Sequence, residues 1–195
     1  GETDDAIVSI VLMQLNTSVE AYSQDSHRDS YREKLAAGLW TLLQKASAGS
    51  DLQLLISRAF ANNAQTVDQG AKIRELLNGK VAGLKVDTDL RWFFLTALTE
   101  RGAVTKTELD AELAEDNTTT GNIAFETCLA AMPNHEAKAY AFNKVLNEDI
   151  VTSIRSALIA GFQRPIQRNL LEPFVNLYFD NLINAWESKS YEGAA

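Results

Sequence analysis

One short stretch near the middle of the chain carries residue types that could bind a metal. In the segment PNHEAKAYAF, His135 is followed directly by Glu136. A helix that binds catalytic zinc in this way needs a second histidine at i+4, so that both imidazoles reach one ion. That position is Ala139. The only other histidine, His27, is remote in sequence, and the single Cys128 has no neighbour at ligand spacing, so the sequence predicts no zinc site here.

The same stretch has the composition of a helix start. Pro133 and Asn134 are residues that end one helix and cap the next. Glu136 would then lie in the first turn, where the helix dipole stabilises a negative charge by about 0.3–1 kcal/mol. We therefore predict that a helix begins at this point.

Two other patterns that could support chemistry also fail on spacing. Gly79-Lys80 is followed by Val81 and preceded by Arg74 where a phosphate-binding loop requires its first glycine. The acidic run at residues 108–116 has leucines and glutamates at helical period, which is typical of a solvated amphipathic helix. The sequence predicts neither a nucleotide site nor a pair of catalytic carboxylates.

Composition limits the class of protein. The 195 residues are 46% hydrophobic and 23% charged, and the net charge is −8 with 26 acidic against 18 basic residues. Because nucleic acids require a concentrated basic surface, general nucleic-acid binding is not predicted. The longest apolar run, residues 6–13, is too short for a membrane span. One cysteine and an acidic start without a leader favour a cytoplasmic location.

Helix-start signals recur along the chain and strand signals are nearly absent, which predicts an all-α fold. Capping-box spacing occurs at three places, and single N-cap candidates occur at four more. The boxes begin at Ser50, Thr66 and Thr105, and the single candidates are Asp87, Thr119, Asn134 and Asn147. Two apolar stripes with helical period are predicted to face the core: Leu90, Phe94, Ala97 and Leu98, and then Leu170, Phe174, Leu177, Tyr178, Leu182 and Trp186.

The intervals between these helix starts are uneven, which is typical of irregular helical hairpins. Stacked two-helix units of roughly 40–47 residues build curved solenoids of the HEAT and armadillo type, and shorter units build related arrays. We predict one helical-repeat domain over residues 1–195. The glycine-containing segment at residues 78–86 is predicted to be an ordered break between an N-terminal and a C-terminal subset of hairpins.

Several segments in order carry a family resemblance, which is strong from about residue 80 to the end. Together they resemble the C-terminal helical domain of the aminopeptidase N family, zinc metallopeptidases of the gluzincin group, and most closely its bacterial forms of actinobacterial type. The segments are DTDLRWFFLTALTERG at 87–102, LDAELAED at 109–116, Gly121, EAKAYAF at 136–142, Gly161-Phe162 with Pro165 and Gln167, and LLEPFVNLYFDNL at 170–182.

The resemblance implies a non-catalytic fragment of a larger enzyme. In the family, the upstream catalytic domain binds zinc through a His-Glu-x-x-His helix and removes N-terminal residues from peptides, while the helical domain closes the substrate chamber. It implies that this chain itself holds no cofactor, and that its partners are the upstream catalytic domain and the peptide. The alternative is a stand-alone helical-repeat scaffold that binds another protein through a concave face. The upstream reading frame would distinguish the two.

Two groups of residues are singled out before the structure is considered. Asp87 or Asp89 is predicted to cap a helix in which Trp92 is a buried anchor and Arg91 pairs with an acid. A second group is a local concentration of arginines around the Gly161-Phe162 turn, whose rigid guanidinium groups suit a peptide carboxylate. These substrate-chamber candidates are Arg155, Arg164 and Arg168, for which surface or interdomain ion pairs are the alternative.

We expect the isolated chain to bind no stoichiometric zinc and to hydrolyse no aminoacyl amide reporter. The physical reason is that two remote histidines and one cysteine cannot complete a zinc site. Metal analysis of the purified chain and an amidase assay with added zinc would test this expectation. One tightly bound zinc per chain, or an activity that His135→Ala abolishes, would contradict it.

Overall fold

The prediction of an all-α fold is confirmed. The computed structural model describes residues 4–147 and 149–188, but not the side chains of residues 184–188, and every regular element in those ranges is helical. Trp186, the last member of the second predicted stripe, has its side chain outside this description. No helix in the described ranges is both long and apolar enough to cross a membrane.

The chain forms two compact units, Gly1–Leu98 and Thr99–Ala195. The division of one repeat domain at residues 78–86, and the stacking of hairpins into a curved solenoid, stay predictions. The first unit contains α1 (Asp5–Thr17), a π-helical turn (Ser18–Tyr22), α2 (Asp25–Leu43), α3 (Asp51–Asn63), α4 (Val67–Leu77) and all but the last residue of α5 (Thr88–Thr99).

The core of the first unit is centred on α2 and α3, which pack against each other. Leu39 and Leu43 of α2 and Ile56 and Phe60 of α3 are all at most 4% exposed. The Trp40 ring packs against Phe60 in a tilted arrangement, with ring centroids 5.0 Å apart. The predicted capping box of α4 is present, since Thr66 and Gln69 cap each other's backbone. The same Gln69 side chain also donates to the Glu33 carbonyl of α2 at 3.1 Å, so this cap ties α4 to the α2–α3 pair.

The connection between α4 and α5 lies against the start of α3. Gln53 of α3 donates its side-chain amide to the Ala82 carbonyl at 3.0 Å and accepts from the Gly49 amide at 2.9 Å. Gly83 has a φ of 81°, and a Cβ there would lie 2.5 Å from that of Ala48. Glycine is therefore required both for the left-handed conformation and for the close approach.

The stripe predicted for α5 is confirmed. Leu90, Phe94, Ala97 and Leu98 are each at most 1% exposed. The Asp87 carboxylate accepts from the Leu90 backbone amide at 2.9 Å, which caps the first turn of the helix. The sequence thus fixes both the start of this helix and the face that it buries.

Within its described residues, the second unit contains five α-helices and a short 3₁₀ turn. Two of these helices, Thr119–Ala131 and Thr152–Phe162, pack closely against each other. Gly161 makes this approach possible, because a Cβ at that position would lie 2.2 Å from the Thr127 carbonyl oxygen and 2.7 Å from the Ala130 Cβ. The elements are α6 (Lys106–Glu115), the loop to residue 118, α7 (Thr119–Ala131), α8 (His135–Asn147), α9 (Thr152–Phe162), the 3₁₀ turn (Pro165–Gln167) and α10 (Arg168–Ser188).

Two predicted caps in this unit are wrong. The N-cap of α7 is Thr118, one residue before Thr119, and its hydroxyl accepts from the Gly121 amide at 3.0 Å. Three consecutive threonines offer equivalent caps, so the sequence alone does not select one. Asn147 lies at the end of α8, and α9 begins later with Val151 at its N-cap position, where no side chain caps the helix.

The second predicted stripe is only partly buried. Phe174 is 4% exposed, as expected of a core residue, but Leu177 and Tyr178 are 46% and 50% exposed. Leu170 and Leu182 are half-buried. The prediction that the whole stripe lines a core is wrong for the middle of α10. Within the described residues this helix packs mainly on α8, and the turn that contains Leu177 and Tyr178 is not covered.

We expect Gly161→Ala to destabilise the chain by about 1–3 kcal/mol, because the added methyl forces α7 and α9 apart. Gly70→Ala is the matched control, since Gly70 lies inside α4 and a Cβ there meets nothing within 4 Å. That change should be neutral or stabilising by up to about 1 kcal/mol. Urea denaturation midpoints measure both, and equal shifts for the two variants would contradict the proposed close approach.

Candidate functional site

A buried lysine ties together the ends of two helices in the second unit. Lys138 of α8 is fully buried, and its ammonium donates to the carbonyls of Ala130 at 2.7 Å and Gly161 at 3.0 Å. These carbonyls lie in the last turns of α7 and α9, where backbone acceptors have no partner within their own helix. A cation is also favoured there by the helix dipoles. Lys138 therefore acts as a shared C-terminal cap.

Beside it, Gln167 and Glu100 complete a buried polar network. The Gln167 side-chain amide, 3% exposed, donates to the carbonyls of Ala131 and Glu100, at 2.7 Å each. The Glu100 carboxylate is 2% exposed and accepts from the guanidinium groups of Arg101 and Arg164. Two arginines thus neutralise one buried acid, which is the condition under which such a charge is tolerated in a core.

The ionisation of Lys138 reflects this environment. The pKa of Lys138 is lowered from its ordinary 10.5 to about 8. Burial is the largest cause of this lower pKa, the nearby Arg164 charge acts in the same direction, and the Glu100 charge opposes both. A neutral amine still has two N–H donors for its two carbonyl acceptors, so the cap persists after deprotonation.

The three arginines predicted to line a substrate chamber lie in different surroundings. Arg155 of α9 is half-buried and donates to the Ile150 carbonyl at 3.3 Å, just before its own helix. Arg164 is part of the buried network through Glu100. Arg168, the first residue of α10, is exposed. Of the three, Arg168 is the most exposed.

The residues singled out as structural lie at the start of α5. Trp92 is 4% exposed and belongs to the core of the first unit. Asp87 provides the cap, while Asp89 is exposed in the first helical turn, where a negative charge is favourable. Arg91 is half-buried.

The His135-Glu136 stretch begins a helix, as predicted. The Asn134 side chain accepts from the Ala137 amide at 2.8 Å, and Glu136 lies in the first turn of α8. The His135 imidazole stacks on Phe174 with centroids 5.3 Å apart. Among the residues that the structure describes, no group of three or more His, Cys, Asp or Glu side chains could hold a metal ion.

A second polar cluster lies on the surface of α7 and α8. The Tyr140 hydroxyl donates to Glu126 at 2.8 Å, and the Lys144 ammonium donates to Glu126 at 2.8 Å and to the Tyr140 oxygen at 2.7 Å. Burial raises the pKa of Tyr140, with the hydrogen bond from Lys144 opposing it. For Lys144, burial lowers the pKa, but the bonds to Glu126 and Tyr140 outweigh it and the net change is upward. The cluster joins the two helices.

Sequence reasoning missed this chemistry because it looked for catalytic patterns. One signal was available: Lys138 stands three residues before Ala141 and four before Phe142, on the face of α8 that period assigns to the core. A lysine at a core position requires buried acceptors. The identity of those acceptors depends on the packing of α9, which the sequence does not show.

A family model described as an ERAP1-like C-terminal domain matches residues 1–194. The chain belongs to this family. It is also 35% identical over 196 residues to the aminopeptidase N of Streptomyces lividans. That alignment covers 99% of this chain and 23% of the relative, so the chain spans about a quarter of the length of the curated protein that it matches.

Membership of the ERAP1-like C-terminal domain family confirms the resemblance on which the sequence analysis relied. In the second unit, the polar side chains of Lys138 and Gln167 join helices to one another.

We expect the stability that Lys138 contributes to rise between about pH 8 and pH 10.5. In this window the unfolded chain holds a proton that the folded chain has lost, so increasing pH favours the folded state. The free energy of unfolding of the wild type minus that of Lys138→Met should therefore increase across the window. Lys80→Met is the control, since Lys80 is exposed. A difference that stays constant with pH would contradict the lowered pKa.

Proposed function

We propose that this chain is the non-catalytic C-terminal domain of a longer zinc aminopeptidase that removes N-terminal residues from peptides. In this proposal the domain covers the upstream catalytic domain and closes the chamber in which the peptide is held. Zinc would be bound upstream, and a cytoplasmic location and a curved stack of hairpins belong to the same proposal.

The observation that carries the proposal is the extent of the match. The family model takes in nearly all of the chain as a C-terminal domain, and the Streptomyces lividans aminopeptidase N is aligned with 99% of it while more than three quarters of that relative lie outside the alignment. A stand-alone scaffold would not be expected to match as the terminal part of a much longer protein. The alternative drawn from the sequence is therefore not favoured.

The geometry of the second unit suits a structural wall of the substrate chamber rather than a catalytic site. The buried contacts of Lys138 and Gln167 fix the ends of α7 and α9, and Gln167 ends the 3₁₀ turn that leads from Arg164 to Arg168. An exposed arginine on a fixed turn is suited to receive the carboxylate of a bound peptide, because little of its backbone freedom remains to be lost. We assign this role first to Arg168, with Arg155 and Arg164 as further candidates.

The proposal is tested directly by the reading frame upstream of Gly1 and by the activity of its product. We expect the frame to encode a His-Glu-x-x-His helix, and the full-length protein to release N-terminal residues in a zinc-dependent way. A start codon immediately before this segment, or a full-length protein without peptidase activity, would overturn it.

We expect Arg168→Ala in the full-length enzyme to raise KM for peptides of several residues by about tenfold or more, the effect of losing one charge-assisted hydrogen bond. Single-residue amide reporters should be unaffected, because they are too short to reach the wall. Lys80→Ala, which removes an exposed cation from the first unit, is the control.

Arg164→Ala is not an equivalent test, since it leaves the Glu100 carboxylate, 2% exposed, with one fewer partner and should lower stability. Equal effects of Arg168→Ala on both kinds of substrate, or none on either, would leave Arg168 without a role in peptide binding.

A further inference from the structure

The first helix of the chain is apolar around most of its circumference, yet it is largely exposed. The α1 sequence DAIVSIVLMQLNT contains seven Ile, Val, Leu or Met residues, but Leu12 alone is buried. Helices that are apolar on all sides are normally buried. The exposed side chains are Ile7 at 47%, Ile10 at 52%, Val11 at 46%, Met13 at 61% and Leu15 at 42%.

These five side chains form one continuous surface, which we call the α1 face. At about 100° per residue, they occupy more than half of the helix circumference, and Leu12 lies opposite their midpoint. Leu12 and the Asn16–Asn63 hydrogen bond, 2.9 Å, attach the other side of α1 to α3. The α1 face is therefore turned away from the unit that holds the helix.

The position of α1 is fixed by an ion pair between a buried arginine and a half-buried glutamate. The Arg32 guanidinium of α2, 3% exposed, makes two hydrogen bonds to the Glu20 carboxylate in the π-helical turn, at 2.6 and 2.5 Å. Because α1 continues directly into that turn, its orientation is set before any partner binds. A pre-positioned apolar surface is suited to docking, since little conformational freedom is lost on contact.

The charges near the α1 face exclude a membrane surface as its partner. Helices that lie on membranes carry Lys or Arg on their polar side, whereas α1 has no basic residue and begins with Asp4 and Asp5. In α2, Asp25 and Asp29 are exposed and pair with Arg28 and Arg32. An apolar surface that includes methionine and carries no charge is typical of the centre of a protein interface.

We propose that the α1 face docks on an apolar groove, rimmed by basic side chains, in the part of the same polypeptide that precedes this segment. The proposal rests on the proposed function. The aligned region is 23% of the Streptomyces lividans relative and is matched as a C-terminal domain, so a long stretch of chain joins the segment at the α1 end. Tethering gives that stretch a high effective concentration at α1, which a second copy lacks.

Hydrogen exchange on the full-length protein and on the 195-residue chain tests the docking. We expect α1 amides to exchange at least about tenfold more slowly in the full-length protein. Ile10→Glu should bring this exchange back to the rate of the isolated chain. Ser9→Glu, which places the same charge on α1 outside the face, should leave the slowing intact. Both variants of the isolated chain should keep its unfolding midpoint, because Ile10 and Ser9 are exposed there.

Three results would overturn the docking. They are equal α1 exchange in the two proteins, a slowing that depends on protein concentration and accompanies dimers in light scattering, and a slowing that appears on adding phosphatidylcholine–phosphatidylglycerol vesicles. Peptidase activity is measured on the same full-length samples. An active enzyme with an unprotected α1 overturns the docking alone, whereas a protected α1 in an inactive protein overturns the proposed function alone.

Discussion

The second unit depends on the need of helix C-termini for hydrogen-bond donors. The last carbonyls of α7 and α9 are buried where water cannot reach them, and two side chains, Lys138 and Gln167, supply the missing donors. An unsatisfied buried carbonyl costs about 1–3 kcal/mol of stability, so the loss of these donors would destabilise the packing of several helices at once. Gly161 is part of the same constraint, since only a residue without a side chain lets α9 approach α7 closely enough for one ammonium to reach both.

This arrangement also explains why the arginines near the turn are not equivalent. Arg164 is held inward by the buried Glu100 carboxylate, and Gln167 bonds to the backbone of that same residue. Arg168 follows immediately, at the start of α10, and is exposed. In the proposed function, structural and binding roles are therefore divided between neighbouring arginines.

How much of this structure the sequence predicts depends on how far apart in the chain the interacting residues lie. Local signals predict most of the helix starts: the capping boxes at Thr66 and Thr105, the Asn134 cap and the buried stripe of α5 all depend on residues within a few positions of one another. The N-cap candidates Thr119 and Asn147 are the exceptions. The stripe of α10 failed at Leu177 and Tyr178, because period shows which residues share a face and not whether another element covers it. Lys138 was missed for the same reason, since its acceptors come from helices 8 and 23 residues away in sequence.

The π-helical turn at Ser18–Tyr22 accommodates one extra residue without turning α1. A π turn holds one residue more than an α-helical turn, so deleting a single residue there would convert it to regular helix. Because the wider turn takes up the extra residue locally, α1 would keep nearly its present rotation after such a deletion, provided that Arg32 still bound Glu20. Ile10 and Met13 would therefore stay on the exposed side of the helix. Insertions and deletions in this turn are a route by which related chains could change in length while the direction of the same helix is kept.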